Sequence, residues 1–208
     1  MNKFDRVEGI AAPLDESNVD TDQIVPARYL SRARQDGFGG QLFHDLRFNE
    51  DGSENAGFVL NHPAYRAATI LVADVNFGCG SSREVAVWAL MDHGIRVVIA
   101  TSFGDIFYNN SFKNGLLAVV LPAEQTASLR NALGQAASPR IAVDLPAQSI
   151  TGADGQVFKF DIDPMRKQLL LEGMDEISLS LQHGAEIAAF EAAYDREFPW
   201  LASQGRRP

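Results

Sequence analysis

The stretch that most limits how this chain can fold is a strand-loop-helix junction. Residues 69–75 (TILVADV) form an apolar run of strand length. They empty into Asn76-Phe77-Gly78-Cys79-Gly80-Ser81-Ser82-Arg83-Glu84. Beyond it Val85, Ala86, Trp88, Ala89 and Leu90 recur near one face of a predicted helix, which opens at Ser81, runs over 82–93 and is closed by Gly94. The alternation continues with a strand over 96–100, a helix over 103–113, a strand over 116–121 and a helix over 125–134. Strands that alternate with helices pair in parallel, are covered by those helices and cross over right-handedly. The predicted class is α/β with a parallel βαβαβ core.

The flanking segments read differently. Residues 4–12 carry a weak strand pattern, 13–22 a polar turn, and 27–41 a charged, glycine-containing loop that reads as flexible. After a strand over 141–145, two short strands flank Gly152-Ala153-Asp154-Gly155, a hairpin signal. Asp163-Pro164 reads as the N-cap and first residue of a helix ending before Gly173, and a last helix covers 184–197. No composition shift marks a linker, so the chain reads as a single domain over 1–208, with a C-terminal helical extension over about 163–197. A net charge of −9 argues against nucleic acid or an anionic membrane as the main partner. No apolar run reaches the roughly 18 residues of a spanning helix, and the N-terminus lacks a signal-peptide core. With one cysteine there is no disulfide framework, and a cytoplasmic location is expected.

The loop at 76–84 is the candidate site. Glycines allow close backbone approach, a helix N-terminus favours an anion, and two hydroxyls and a guanidinium stand there. The same residues also fit a capping box, in which Ser81 caps and Glu84 reaches back. Capping alone needs neither the Gly-Cys-Gly lead-in nor Arg83, and the carboxyl end of a parallel strand is where such folds bind ligands. Cys79 could be an activated thiol or a small buried residue. His44, His62, His93 and His183 show no metal-ligand spacing, and Asp20-Thr21-Asp22 suits a turn better than a cation site. The loop matches neither a Walker A sequence nor Gly-x-Gly-x-x-Gly.

The stretch from Asn76 to Glu84 resembles the signature of the aconitase superfamily's swivelling domain, and its Cys-Gly-Ser-Ser-Arg-Glu form is similar to that of the 3-isopropylmalate dehydratase small-subunit family. Asp20-Thr21-Asp22-Gln23-Ile24-Val25-Pro26, Gly37-Phe38-Gly39, residues 102–112, Asn114-Gly115-Leu116-Leu117, Ile162-Asp163-Pro164 and Gly173-Met174-Asp175 fit as well. The resemblance implies a swivelling β/β/α domain with a β-hairpin extension and C-terminal helices. It implies a small subunit of a two-subunit hydro-lyase that interconverts 2-isopropylmalate and 3-isopropylmalate through isopropylmaleate. This chain would bind no cofactor, and a [4Fe–4S] cluster would sit on the large subunit. By the same resemblance Ser81 is the base, Ser82 and Arg83 bind a substrate carboxylate, and the 27–41 segment, with Tyr29, Leu30 and Arg32, selects the remaining substituent. Tyr29 and Leu30 suit an alkyl group, whereas the arginines at 28, 32 and 34 leave other acids open. Val85 and Val87 depart from the family's usual His and Pro, which keeps a second reading in view. That reading is a paralogue acting on methylmalate, dimethylmalate or homoaconitate, and a non-catalytic carboxylate-binding domain is a third.

Overall fold

The computed structural model describes residues 2–201. Among them one seven-stranded sheet is formed by β1 (Arg6–Pro13), β2 (Ile70–Val72), β3 (Val97–Ala100), β4 (Leu117–Val120), β5 (Arg140–Asp144), β6 (Ser149–Thr151) and β7 (Val157–Lys159). The spatial order is β4-β3-β2-β1-β5-β6-β7. β1 joins two halves of opposite character. Its end pairs in parallel with β2 (Ala11 opposite Ile70), and its start pairs antiparallel with β5 (Val7 opposite Val143). β2, β3 and β4 continue in parallel, while β5, β6 and β7 form a meander closed by the expected hairpin, with Ile150 opposite Phe158.

The parallel strands are apolar at every position because both sheet faces are covered. Alternate residues point to opposite sides. Leu71, Val98 and Ala100 face one core, shared with Phe38, Phe43, Phe77 and helix α3 (Glu84–His93). Ile70, Val72, Val97, Ile99, Leu117 and Val119 face the other, shared with Phe112, Leu129 and Leu133. Those last three come from α4 (Asp105–Asn114) and α5 (Ala123–Gln135). α6 (Pro164–Glu172) adds Leu170 to this second core. Its ends follow the sequence signals: Asp163 accepts from the N–H groups of Met165 and Arg166, and Gly173 ends it in the left-handed region.

Three expectations are corrected. The strand before the site is shorter than 69–75: Val75 leaves the sheet, its carbonyl accepting from Asn18 N–H, while Asn76 N–H turns to Ser102 Oγ. The helix after the site opens at Glu84 rather than Ser81, with Arg83 in the cap position and no side-chain cap. The 27–41 segment is folded into three 3-10 turns, at Ala27–Tyr29, Arg34–Asp36 and Gly39–Gln41. Two four-residue helices, α1 (Thr21–Ile24) and α2 (His44–Arg47), lie in the long connection from β1 to β2 and lack a periodic signal in the sequence.

The chain divides into two compact units, the first ending at Gly173 and the second beginning at Met174. α6 therefore belongs with the sheet. The second unit holds α7 (Glu176–Leu181), capped by Asp175 through Ser178 N–H, and α8 (Gly184–Glu197). No helix among the described residues is long and apolar enough to cross a membrane.

Candidate active site

The 76–84 loop is fixed from below, from one side and at both ends. Phe77 sits under it with its ring edge-on to Phe103 and Phe107, at centroid distances of 6.3 and 5.3 Å. Its backbone pairs with the segment before α4: Phe77 N–H donates to the Ser102 carbonyl (3.0 Å) and Gly104 N–H to the Phe77 carbonyl (2.9 Å). Gly78 has φ +73°, and a Cβ there would lie 2.2 Å from the Phe107 ring, so only glycine fits. At the strand end Arg130 of α5 donates to the Ala73 carbonyl (2.8 Å) and pairs with Asp15 at 2.7 Å and Asp74 at 3.6 Å.

The side support comes from the Asp20-Thr21-Asp22 motif. Asp20 caps α1 in a reciprocal box with Gln23 (2.7 and 2.9 Å). Thr21 then faces the loop: its N–H donates to the Cys79 carbonyl (2.9 Å) and its hydroxyl to the Ser81 carbonyl (3.1 Å). Gly78 N–H donates to the Val19 carbonyl (2.7 Å). Asp22 pairs with the guanidinium of Arg83, whose side chain is only 15% exposed. The motif therefore serves neither as a cation site nor as a merely local turn. It is a clamp that orients the loop.

Ser81 and Ser82 are exposed at the top of this loop, beside the shielded Arg83. Glu84 does not reach back to Ser81. Its carboxylate accepts from Asn114 of α4 (2.8 Å), whose side-chain oxygen accepts from Trp88 Nε1 (2.9 Å). The capping box is thus overturned, and the hydroxyls of Ser81 and Ser82 are not spent on the helix end. Cys79 is half-buried, its thiol 3.5 Å from the Asn18 carbonyl. An open recess of about 390 Å³ borders the loop, lined by Asn76, Cys79, Gly80, Phe103, Asp105 and Ile106 among others. α4 starts in this recess with no side-chain cap, so its first amides and positive dipole end face the same space.

Tyr29, Leu30 and Arg32 lie on the segment that follows α1 in the chain, and the partners of Tyr29 and Arg32 are residues of that region rather than of the loop. The Tyr29 ring meets His44 at 5.0 Å, and the Arg28 guanidinium stands 4.7 Å over its face. Leu30 is exposed. Arg32 donates to the carbonyls of Gly37 (2.9 Å) and Asp36 (3.0 Å). Arg28 pairs with Asp45, which raises the guanidinium's pKa and holds the Asp45 carboxyl below the usual range. Arg34 binds Asp92 through both nitrogens (2.7 and 3.0 Å), and Asp92 also accepts from Phe38 N–H (2.8 Å). His93 is held below its ordinary pKa, first by burial and then by the charge of Arg47. A second recess of about 410 Å³ lies here, between Arg32, Gly39, Arg47 and His93.

The roles of Thr21, Asp22, Arg130 and Asn114 lie beyond the reach of sequence spacing, because each acts across more than 25 residues of chain. The Asp-Thr-Asp motif is the one signal that could have pointed to Asp22. Val85 is half-buried against the first core, and Val87 lies within it. Among the described residues no group of three or more His, Cys, Asp or Glu is placed to hold a metal ion.

Comparison with known proteins identifies the scaffold. Residues 1–124 match the family model described as Aconitase C-terminal domain. Residues 128–164 match one described as LeuD_N, and 176–204 one described as the C-terminal domain of the 3-isopropylmalate dehydratase small subunit. A 3-isopropylmalate dehydratase small subunit of Xanthobacter autotrophicus is 54% identical over 97% of this chain and all of its own. One from Azorhizobium caulinodans is 53% identical with the same coverage. The crystal structure of a 3-isopropylmalate dehydratase from Methanocaldococcus jannaschii superposes with a TM-score of 0.66 at 24% identity, covering 88% of this chain and 99% of its own, a likeness of fold. The chain belongs to the 3-isopropylmalate dehydratase small-subunit family, on an aconitase-type fold.

Proposed function

We propose that this chain is the small subunit of a two-subunit hydro-lyase of leucine biosynthesis, interconverting 2-isopropylmalate and 3-isopropylmalate through isopropylmaleate. The observation that carries the reading is the arrangement of an exposed Ser81 beside a shielded, pre-oriented Arg83, in a chain over half identical along almost its whole length to proteins of that name. A cytoplasmic location goes with it.

On this reading Ser81 takes the proton from substrate carbon. A serine hydroxyl is a poor base, and its alkoxide needs hydrogen-bond donors and a nearby cation. The amides at the start of α4 and the Arg83 guanidinium supply groups of that kind next to the loop. Arg83 holds a substrate carboxylate in its planar fork while Asp22 keeps the guanidinium turned, and Ser82 adds a hydroxyl donor. The Lewis-acid chemistry for the departing hydroxyl belongs to a [4Fe–4S] cluster on the large subunit. This chain's own task is to bind, orient and move the proton.

The substrate's remaining substituent is read as alkyl. The three arginines that leave an acid open in the sequence all have internal partners: Arg28 with Asp45, Arg32 with two carbonyls and Arg34 with Asp92. Tyr29 and Leu30 remain as the apolar contacts. The test is anaerobic reconstitution with the large subunit, assayed on 2-isopropylmalate, shorter 2-alkylmalates and homoaconitate. Turnover of 2-isopropylmalate, falling about 10²–10⁴-fold in Ser81→Ala, is expected. Turnover of homoaconitate alone, or full activity of Ser81→Ala, would sink the substrate or the base assignment respectively.

A further inference from the structure

The C-terminal helices carry exposed apolar side chains. Ile177 and Leu181 of α7 are 71% and 70% exposed, and Phe190 of α8 is 68% exposed. Ile187 and Tyr194 of α8 and, beyond it, Trp200 and Leu201 are exposed too. On α8 the spacing 187, 190, 194 puts the three on one helical face. Phe190 stacks on Tyr194, and Tyr194 meets Phe198, so the stripe is an ordered ladder of rings. Helical geometry sets Glu191 and Asp195 along one flank of the stripe and Glu186 and Glu197 along the other, with Arg196 on the opposite face. Exposed apolar stripes rimmed by one sign of charge mark association surfaces.

We infer that α7 and α8 are the arm by which this chain binds its large subunit, and that the arm seats in an apolar groove with a basic rim on that subunit. The inference rests on the two-subunit reading above. Charge argues against a second copy as the occupant: two stripes with acidic flanks would meet like to like, on chains of net charge −9. The division of the chain argues for the large subunit. Residues 1–124 match a model named for the C-terminal domain of aconitase, a domain that is one part of a larger protein. Residues 176–204 match a model named for the small subunit itself. A domain released as a separate chain needs a non-covalent attachment in place of the peptide link, and the stripe lies in the segment particular to the separate chain.

The experiment is sedimentation of the full-length chain with the purified large subunit, comparing wild type, Phe190→Glu with Ile187→Glu, and Glu191→Lys with Asp195→Lys. The second pair of substitutions keeps the stripe and the helix and reverses one flank. Dissociation constants at least tenfold weaker in both variants, with far-ultraviolet circular dichroism unchanged in the flank variant, are expected. In wild type, weakening with added salt is also expected. A wild type that does not assemble at all would overturn the two-subunit reading. A wild type that assembles with variants that assemble equally well would overturn the arm alone. So would self-association lost in the stripe variant, or a stripe variant whose large-subunit affinity is intact but whose melting temperature falls, which would mean that the stripe is covered by a second copy or by the chain's own first unit.

Discussion

On the proposed reading, Arg83 is held in place by Asp22 before substrate binds. A guanidinium left free would lose rotamer freedom on binding, whereas Asp22 fixes the fork in advance. Asp22→Ala is expected to lower kcat/KM about tenfold, roughly 1.4 kcal/mol of transition-state stabilisation. The melting temperature should fall as well, since the loss of Asp22 leaves the shielded Arg83 guanidinium without its partner. Steady-state kinetics on the reconstituted enzyme, set beside a thermal melt, checks both. His93 makes a different prediction. Its folded pKa is depressed by burial, so the unfolded chain binds the proton more readily than the native state. The stability it contributes is full above about pH 6.5, the unfolded value, and is lost as pH falls below that toward the folded pKa. Urea midpoints at pH 7.5 and 5 should therefore diverge in wild type, and less so in His93→Gln. At this scale the sequence revealed residue types rather than partners. Ser81, Ser82 and Arg83 could be singled out because their motif is contiguous, but Asp22 lies 61 residues from Arg83 and only the fold makes them neighbours.

Among the elements, the loop's shape depends on its glycines more than on the helix that follows. Gly78→Ala is expected to destabilise by about 2–5 kcal/mol, because it combines a positive φ with a methyl driven into Phe107. Equilibrium urea unfolding measures it, and a loss under 1 kcal/mol would show that the loop can yield. Helix ends with local signals were legible: Gly94 and Gly115 both stop their helices in the left-handed region, and Asp163-Pro164 starts α6. The start of α3 was not. Ser-x-x-Glu has the spacing of a capping box, yet Asn114 on α4 offers Glu84 a partner and Thr21 draws the Ser81 carbonyl aside. Tertiary bonds outcompeted the local motif. The same competition explains the 27–41 segment. Its glycines and charges read as flexible, but Asp92, two helical turns along α3 from the loop, gathers Arg34 and Phe38 N–H into one anchor.

At the scale of the molecule, every buried apolar residue of the two cores precedes Met174. A chain ending at Gly173 is therefore expected to keep the main calorimetric transition of the full chain within a few degrees; collapse of that transition would show that the second unit stabilises the first. The alternation from 69 to 134 determined the parallel core, since apolar strands buried on both faces and separated by amphipathic helices have few other ways to hide their surface. The sequence by itself also determined the family and the identity of the loop, because both reside in contiguous residues. What only the tertiary structure decided is how the loop is held as a candidate site. The clamp by Thr21 and Asp22, the brace by Arg130, the release of Ser81 from the helix cap and the pairing of Arg28 with Asp45 and of Arg34 with Asp92 all join residues distant in the chain. Side chains so far apart carry no periodicity that links them, and their pairing is settled by the packing of β1 between the two halves of the sheet.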